Sequence, residues 1–278
     1  MSNEEIRVNP PCLEGLLSLK EAGLTATSHE VDNVSSAWNA DQIVFDEAGR
    51  VISLNLGNKR LRKGMPVKFN FASLTTINLG GTDLPIEDTI HILTGVASTI
   101  EQVYLGGNML NNQGATQIGM WLSTRRPQNL VHLDLRFNEI GPEGTHGLCQ
   151  GLEINPTVIR LYLEGNKLGD AGAAIVANLL RVASCPLVHL FLGANQIGPD
   201  GATHLASALS TNKTLTKLYL EGNTIGEDGA DAFANVLIHC DGDTGLKHLF
   251  CDNNDIGKEG SQRLAKALNS ATAIGDSL

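Results

Sequence analysis

The spacing Leu-x-x-Leu-x-Leu, with other aliphatic residues substituting at single places, returns eight times along the chain, starting at Val51, Leu74, Ile100, Leu130, Val158, Leu187, Leu215 and Leu246. Successive starts lie 23 to 31 residues apart. A unit of that length cannot bury its own apolar side, so the copies have to stack, each covering its neighbour and leaving an elongated surface along the array. The architecture is therefore set by the repeat, and any function has to be sought on the surface that stacking leaves open.

A repeat of about 28 residues has room for one short strand, a turn and a full helix. Helical patterning does follow the strand, with apolar residues at i, i+3 or i+4 in GATHLASAL (Gly201 to Leu209), GADAFANVL (Gly229 to Leu237) and GSQRLAKAL (Gly260 to Leu268). Gly141, Gly169, Gly198, Gly226 and Gly257 open the turn into each helix, where a Cβ is costly. Asn108, Asn138, Asn166, Asn195, Asn223 and Asn254 stand at one place in successive copies, with Lys59 and Thr82 there in the first two. A buried amide at that bend bonds backbone groups of its own coil and the next, so the column is expected to be structural.

From Leu130 onward the copies alternate. Those at Leu130, Leu187 and Leu246 carry His before the second aliphatic (VHL, VHL, KHL), while those at Val158 and Leu215 read RLYLEGN and KLYLEGN, and the run NQIGPDGA spans Asn195 to Ala202. This pattern resembles the ribonuclease-inhibitor class of leucine-rich repeats over roughly Leu74 to Leu268. The resemblance implies an α/β fold: a right-handed leucine-rich repeat solenoid, or horseshoe, of about eight repeats, with a parallel β-sheet on the concave side and helices on the convex side. It leaves activity open, since that class includes inhibitors, GTPase-activating proteins and the sensor regions of immune receptors. The stretch Trp38 to Pro66, with GRVISLNL at its centre, resembles the start of plant-type and bacterial leucine-rich repeat domains, where a Trp-containing hairpin leads into the first strand. The expected plan is an N-terminal cap over 1–50 (a helical segment, then a hairpin), the solenoid over 51–268 and a C-terminal tail or cap over 269–278.

Composition narrows the function. Hydrophobic residues make up 42% of the chain and can fill a sizeable core, but no window approaches ~18 uninterrupted apolar residues. The first residues, MSNEEIRVNPP, lack the shape of a secretory signal, so a cytoplasmic protein is expected, with a nuclear one open through the basic run Lys59 to Lys63. The same run reads more readily as a solvated loop of a capping repeat. Five cysteines (Cys12, Cys149, Cys185, Cys240, Cys251) without CxxC spacing read as reduced thiols. A net charge of −10, with its Lys and Arg scattered, argues against nucleic acid. No phosphate-binding loop, nucleophile elbow or zinc motif occurs, and His132, His189 and His248 share a strand place two repeats apart, about 9–10 Å, too far to join on one metal. Neither an enzyme, a cofactor nor a membrane partner is expected, and the chain is read as a monomer.

What remains is the strand face. Places four and six of Leu-x-x-Leu-x-Leu-x point into the core, so places three, five and seven point out. Place five reads Asn55, Asn78, Tyr104, Asp134, Tyr162, Phe191, Tyr219 and Phe250, and every tyrosine of the chain falls in it. Place three becomes basic or titratable from the fourth repeat: His132, Arg160, His189, Lys217, His248. Place seven carries Arg136, Glu164, Glu221 and Asp252. These residues from Tyr104 to Asp252 are the expected contacts of a protein or peptide partner on the concave face. Two alternatives stand beside that reading: a regulator of a small GTPase drawing on Arg136 or Arg160, and a structural subunit of a larger assembly.

Overall fold

The computed structural model describes residues 43–59, 71–239 and 244–275. Nine strands form one open sheet in chain order: β1 (Ile43–Phe45), β2 (Val51–Asn55), β3 (Thr76–Asn78), β4 (Gln102–Tyr104), β5 (His132–Asp134), β6 (Arg160–Tyr162), β7 (His189–Phe191), β8 (Lys217–Tyr219) and β9 (His248–Phe250). Seven described helices alternate with the strands: α1 (Ile86–Val96), α2 (Asn111–Arg125), α3 (Pro142–Ile154), α4 (Gly169–Arg181), α5 (Pro199–Leu209), α6 (Gly226–His239) and α7 (Gly257–Gly275). From β2 to β9 all pairings are parallel, while β1 folds back antiparallel on β2 and covers the first edge. That hairpin turns on Asp46, whose Oδ1 accepts the Ala48 and Arg50 amides at 3.0 and 2.9 Å. The helical segment expected before it, Cys12, Cys240 and the basic run beyond Lys59 lie outside the described residues.

Every repeat before the last buries its first, fourth and sixth places. Leu133, Leu135, Leu161, Leu163, Leu190, Leu192, Leu218 and Leu220 are all 0% exposed, each stabilising the fold by about 1.5–3 kcal/mol. Helices close the other side. Between α2 and α3 the approach is backbone to backbone: a Cβ on Gly119 would stand 2.0 Å from the Gly147 carbonyl oxygen, and one on Gly151 2.2 Å from that of Gly119. Larger residues there would drive the two repeats apart.

The asparagine column is buried and fully bonded in the central repeats. Asn166 donates to the Leu135 and Leu163 carbonyls at 3.0 and 2.8 Å and accepts the Asn138 and Ile140 amides at 3.0 and 2.9 Å. Asn138 and Asn223 repeat the arrangement one and two repeats away. Thr82, in the same place, reaches only the Leu79 carbonyl and Asn108, a shorter side chain doing part of the task.

The expected tail over 269–278 is helical as far as Gly275, the last residue of α7. No Pro and no Gly interrupts the Ala-containing stretch before Gly275, so the helix has no reason to stop earlier. Cys251, at the sixth place of its strand where an aliphatic side chain is buried in earlier copies, is only half-buried, as are Leu249 and Ile256 beside it, because among the described residues no strand follows β9.

Replacing Asn166 with Ala strands the Asn138 and Ile140 amides and the Leu135 carbonyl, while the Leu163 carbonyl keeps its bond from Asn195 at 2.8 Å. The loss of stability is expected at about 2–4 kcal/mol, measured by urea unfolding; a loss below about 0.5 kcal/mol would show that the ladder is not what holds the bend.

Candidate functional site

Strand register decides which side chains meet. Ser53, Thr76, Gln102, His132, Arg160, His189, Lys217 and His248 pair in one line, and Asn55, Asn78, Tyr104, Asp134, Tyr162, Phe191, Tyr219 and Phe250 in the next. The columns read from the repeat are therefore real neighbours. Tyr162, Phe191, Tyr219 and Phe250 stack face to face, with centroids 4.1, 4.1 and 4.4 Å apart and planes within 9°. All four rings are half-buried. Since each inner ring has neighbours on both faces, its edge is what meets solvent.

The column does not end at Tyr162. In β5 place five is Asp134, and the ring missing there is supplied by His132 from place three. Its imidazole centroid lies 4.6 Å from both Tyr104 and Tyr162. Six rings thus run without a break from Tyr104 to Phe250. Asp134, expected as a partner contact, is instead closed off at 3% exposure. Its carboxylate accepts the Arg136 backbone amide at 3.0 Å and the Arg136 guanidinium at 2.7 to 3.1 Å. Asn55 and Asn78 make the same bond to the amide two residues on, so a short acceptor at place five closes the strand's end where no ring does. Arg136 is correspondingly committed, its guanidinium carbon 5.4 Å from the Tyr162 centroid.

Charge flanks the rings. On the place-three side Arg160 and His248 are exposed and His189 and Lys217 half-buried. On the place-seven side stand Glu164, Glu221 and Asp252, with Gly193 between the first two. The Glu164 side chain crosses above Gly193, where an added Cβ would sit 3.6 Å from Glu164 Cγ and 3.1 Å from the Glu221 carbonyl oxygen. Burial raises the Glu164 carboxyl above the usual range, with Asp134 and Glu221 adding to it against Arg136 and a backbone hydrogen bond. Glu164 Oε2 and His132 Nε2 are both shielded from solvent and have no hydrogen-bond partner. Burial holds the His132 imidazole below its ordinary value, helped by Arg160 and Arg136 and opposed by Asp134; His189 is lowered likewise by burial, Lys217 and Arg160.

One surface residue falls outside the expected columns. Phe137, at place eight, is 63% exposed with φ of 55°, a left-handed conformation that costs a bulky L-residue about 1–2 kcal/mol. Its ring lies over Gly165, whose own φ is 67° and whose Cβ would meet Phe137 Cδ1 at 2.2 Å. Place eight elsewhere holds Asn58, Gly81, Gly107, Gly165, Ala194, Gly222 and Asn253, so the signal was an aromatic where small or αL-tolerant residues belong. Among the described residues no group of three or more His, Cys, Asp or Glu is placed to hold a metal, and no helix is long and apolar enough to cross a membrane. Burial pushes the Cys149 thiol up to about 12 and Cys251 to about 11, which leaves neither ionised near neutrality.

A family model described as Leucine Rich repeat matches residues 126–149, 155–174 and 211–234. Protein CARMIL of Dictyostelium discoideum is 29% identical over 205 residues, covering 58% of this chain and 19% of that protein. The ribonuclease inhibitor of Sus scrofa is 33% identical over 172 residues, with 60% and 36% covered. That of Mus musculus is 26% identical over 296 residues, with 94% and 62% covered. The chain spans less than two thirds of the length of each.

The lowered imidazoles bear on stability. A histidine whose folded value lies below its unfolded one contributes fully above the unfolded value, near 6.5, and that contribution is lost as pH falls toward the folded one. Urea midpoints are expected to drop between about pH 7.5 and pH 5.5, and His132→Phe, which keeps the ring column, is expected to remove much of the drop. An unchanged pH profile in that variant would show that His132 is not held neutral.

Proposed function

We propose that this chain, a leucine-rich repeat protein of the ribonuclease-inhibitor-like class, is a non-enzymatic scaffold that docks another protein on the strand-bearing inner face of its solenoid. The observation that carries the reading is the unbroken ring column from Tyr104 to Phe250, half-exposed between a basic and an acidic column. Apolar surface left contiguous on an open sheet is costly unless something covers it, and Tyr, Phe and Arg are the residue types enriched at interface centres. The ring edges supply apolar area at about 25 cal/mol per Å² buried. The flanking charges orient the partner and reject wrong ones. Two of the relatives are named as inhibitors of a ribonuclease, and a role in which one protein acts on another suits this surface. Of the two arginines a GTPase regulator would draw on, Arg136 is held by Asp134 and Arg160 alone is exposed.

Replacing Tyr162, Phe191 and Tyr219 together with Ser is expected to abolish capture of the partner from cell extract while the far-ultraviolet circular dichroism stays unchanged. Full capture by that variant would remove the site. Phe137→Asn relieves a left-handed strain, so it is expected to hold or raise stability, by up to about 1 kcal/mol, while weakening capture. A fall in stability without any change in capture would make Phe137 a packing residue only.

A further inference from the structure

The place-three flank of the sheet gathers positive charge and supplies nothing to balance it. Register sets Arg160, His189, Lys217 and His248 side by side on four successive strands, with neighbouring Cα atoms ~4.8 Å apart. Curvature then brings the outer ends of side chains closer together. The rings of Tyr162, Phe191 and Tyr219, which rise from the same strands on the same face, are only 4.1 Å apart at their centroids. Arg160 and Lys217, one strand to either side of His189, therefore stand within reach of a common point above its imidazole, both being long and flexible.

No carboxylate answers these cations. Among the described residues neither Arg160 nor Lys217 forms an ion pair. Asp134, the acid of the strand before, is spent on Arg136. Glu164 and Glu221 stand four residues further along their strands and across the rings, ~13 Å away, beyond the Debye length of ~8 Å at physiological ionic strength. His189 is flanked in register by Arg160 and Tyr162 of β6 and by Lys217 and Tyr219 of β8, and burial, Lys217 and Arg160 together hold its imidazole below the ordinary value. Like charges on adjacent strands weaken a sheet, and Thr76 and Gln102 show that neutral side chains fit the same place.

The row selects a compact anion over an extended one. A net charge of −10 and the acids at place seven repel a long polyanion, whereas a group confined to the place-three flank meets cations alone. Donors arriving from three strands call for an acceptor with more than two oxygens. A phosphate monoester has three terminal oxygens and a charge of about −1.5 to −2 near neutrality.

We propose that Arg160, His189 and Lys217 bind a phosphate monoester, the guanidinium and the ammonium closing on its terminal oxygens from either side and the imidazole donating to it from the strand between. His248, exposed on the next strand, extends the row. The site stands independently of the docking role, since the anion lies beside the rings and not over them.

The test follows the histidine ring protons of the full chain by NMR as sodium phosphate replaces sodium chloride at constant ionic strength and about pH 7.5, the His189 signal being the one lost in His189→Gln. That signal is expected to move saturably, with half-saturation below about 5 mM. Its titration midpoint is expected to rise by about 0.5 or more, because a dianion offsets the two cations that depress it. Arg160→Gln with Lys217→Gln is expected to keep the circular dichroism and lose the saturation. Where that double variant is unfolded, Arg160→Gln alone replaces it and is expected to raise half-saturation at least about fivefold. The source of the phosphate is read with acetyl-Gly-Gly-phosphoserine-Gly-Gly-amide. Half-saturation at least about threefold lower than for inorganic phosphate assigns the site to a phosphorylated protein, and any higher value assigns it to a small phosphate compound. No saturable movement up to about 50 mM phosphate, the same movement in the charge variant, or equal half-saturation for the peptide with glutamate in place of phosphoserine would overturn the inference.

Discussion

Everything on the strand face depends on the hydrogen bonds that the buried asparagine carboxamides make where each strand bends toward its helix. At that bend the backbone leaves the sheet, and its amides and carbonyls would be stranded in an apolar interior. Asn166 closes four such groups, one in its own coil and three in the coil before. Because each carboxamide spans a boundary between repeats, it also fixes their offset. A parallel sheet with that offset held constant puts equal places in line, so the Asn column produces the ring and charge columns.

Ring stacking adds to the stability that alignment makes available, at about 0.5–1.5 kcal/mol per pair beyond area burial, and it changes what the surface can offer. Face-to-face contacts at 4.1 to 4.4 Å occupy the ring faces of Phe191 and Tyr219. Cation–π capture on those faces is closed to a partner, and the exposed edges offer apolar area with little direction of its own. The hydroxyl groups and the charges on either side have to carry orientation.

The fold was legible because it depends on spacing alone. The repeat interval, the aliphatic places and the Asn column each follow from requirements that every coil meets separately, and the structure has them where the spacing puts them. Three features were not legible, and all three arise between coils. His132 leaves its own column because Asp134 leaves a gap between Tyr104 and Tyr162 that only a ring fills. Asp134 is buried where Arg136, two residues on, folds back onto it. Phe137 keeps a strained backbone because Gly165, one repeat later, leaves space for its ring. Alternation inside one strand tells which way a side chain starts, but neighbours decide where it finishes.

The same distinction separates what stabilises this surface from what can make it selective. A ring column of one-repeat period strengthens the sheet whether or not a partner is present, so its existence alone says little about which partner. The carboxylates at place seven do not strengthen the sheet in the same way. Glu164 is half-buried with an oxygen left without a partner, and its neighbours Asp134 and Glu221 push its carboxyl further from ionisation. Gly57, Gly80, Gly106 and Gly193 stand at the same place, so the solenoid does not need a carboxylate there, and under the docking role proposed above the group that Glu164 would meet is one brought by the partner.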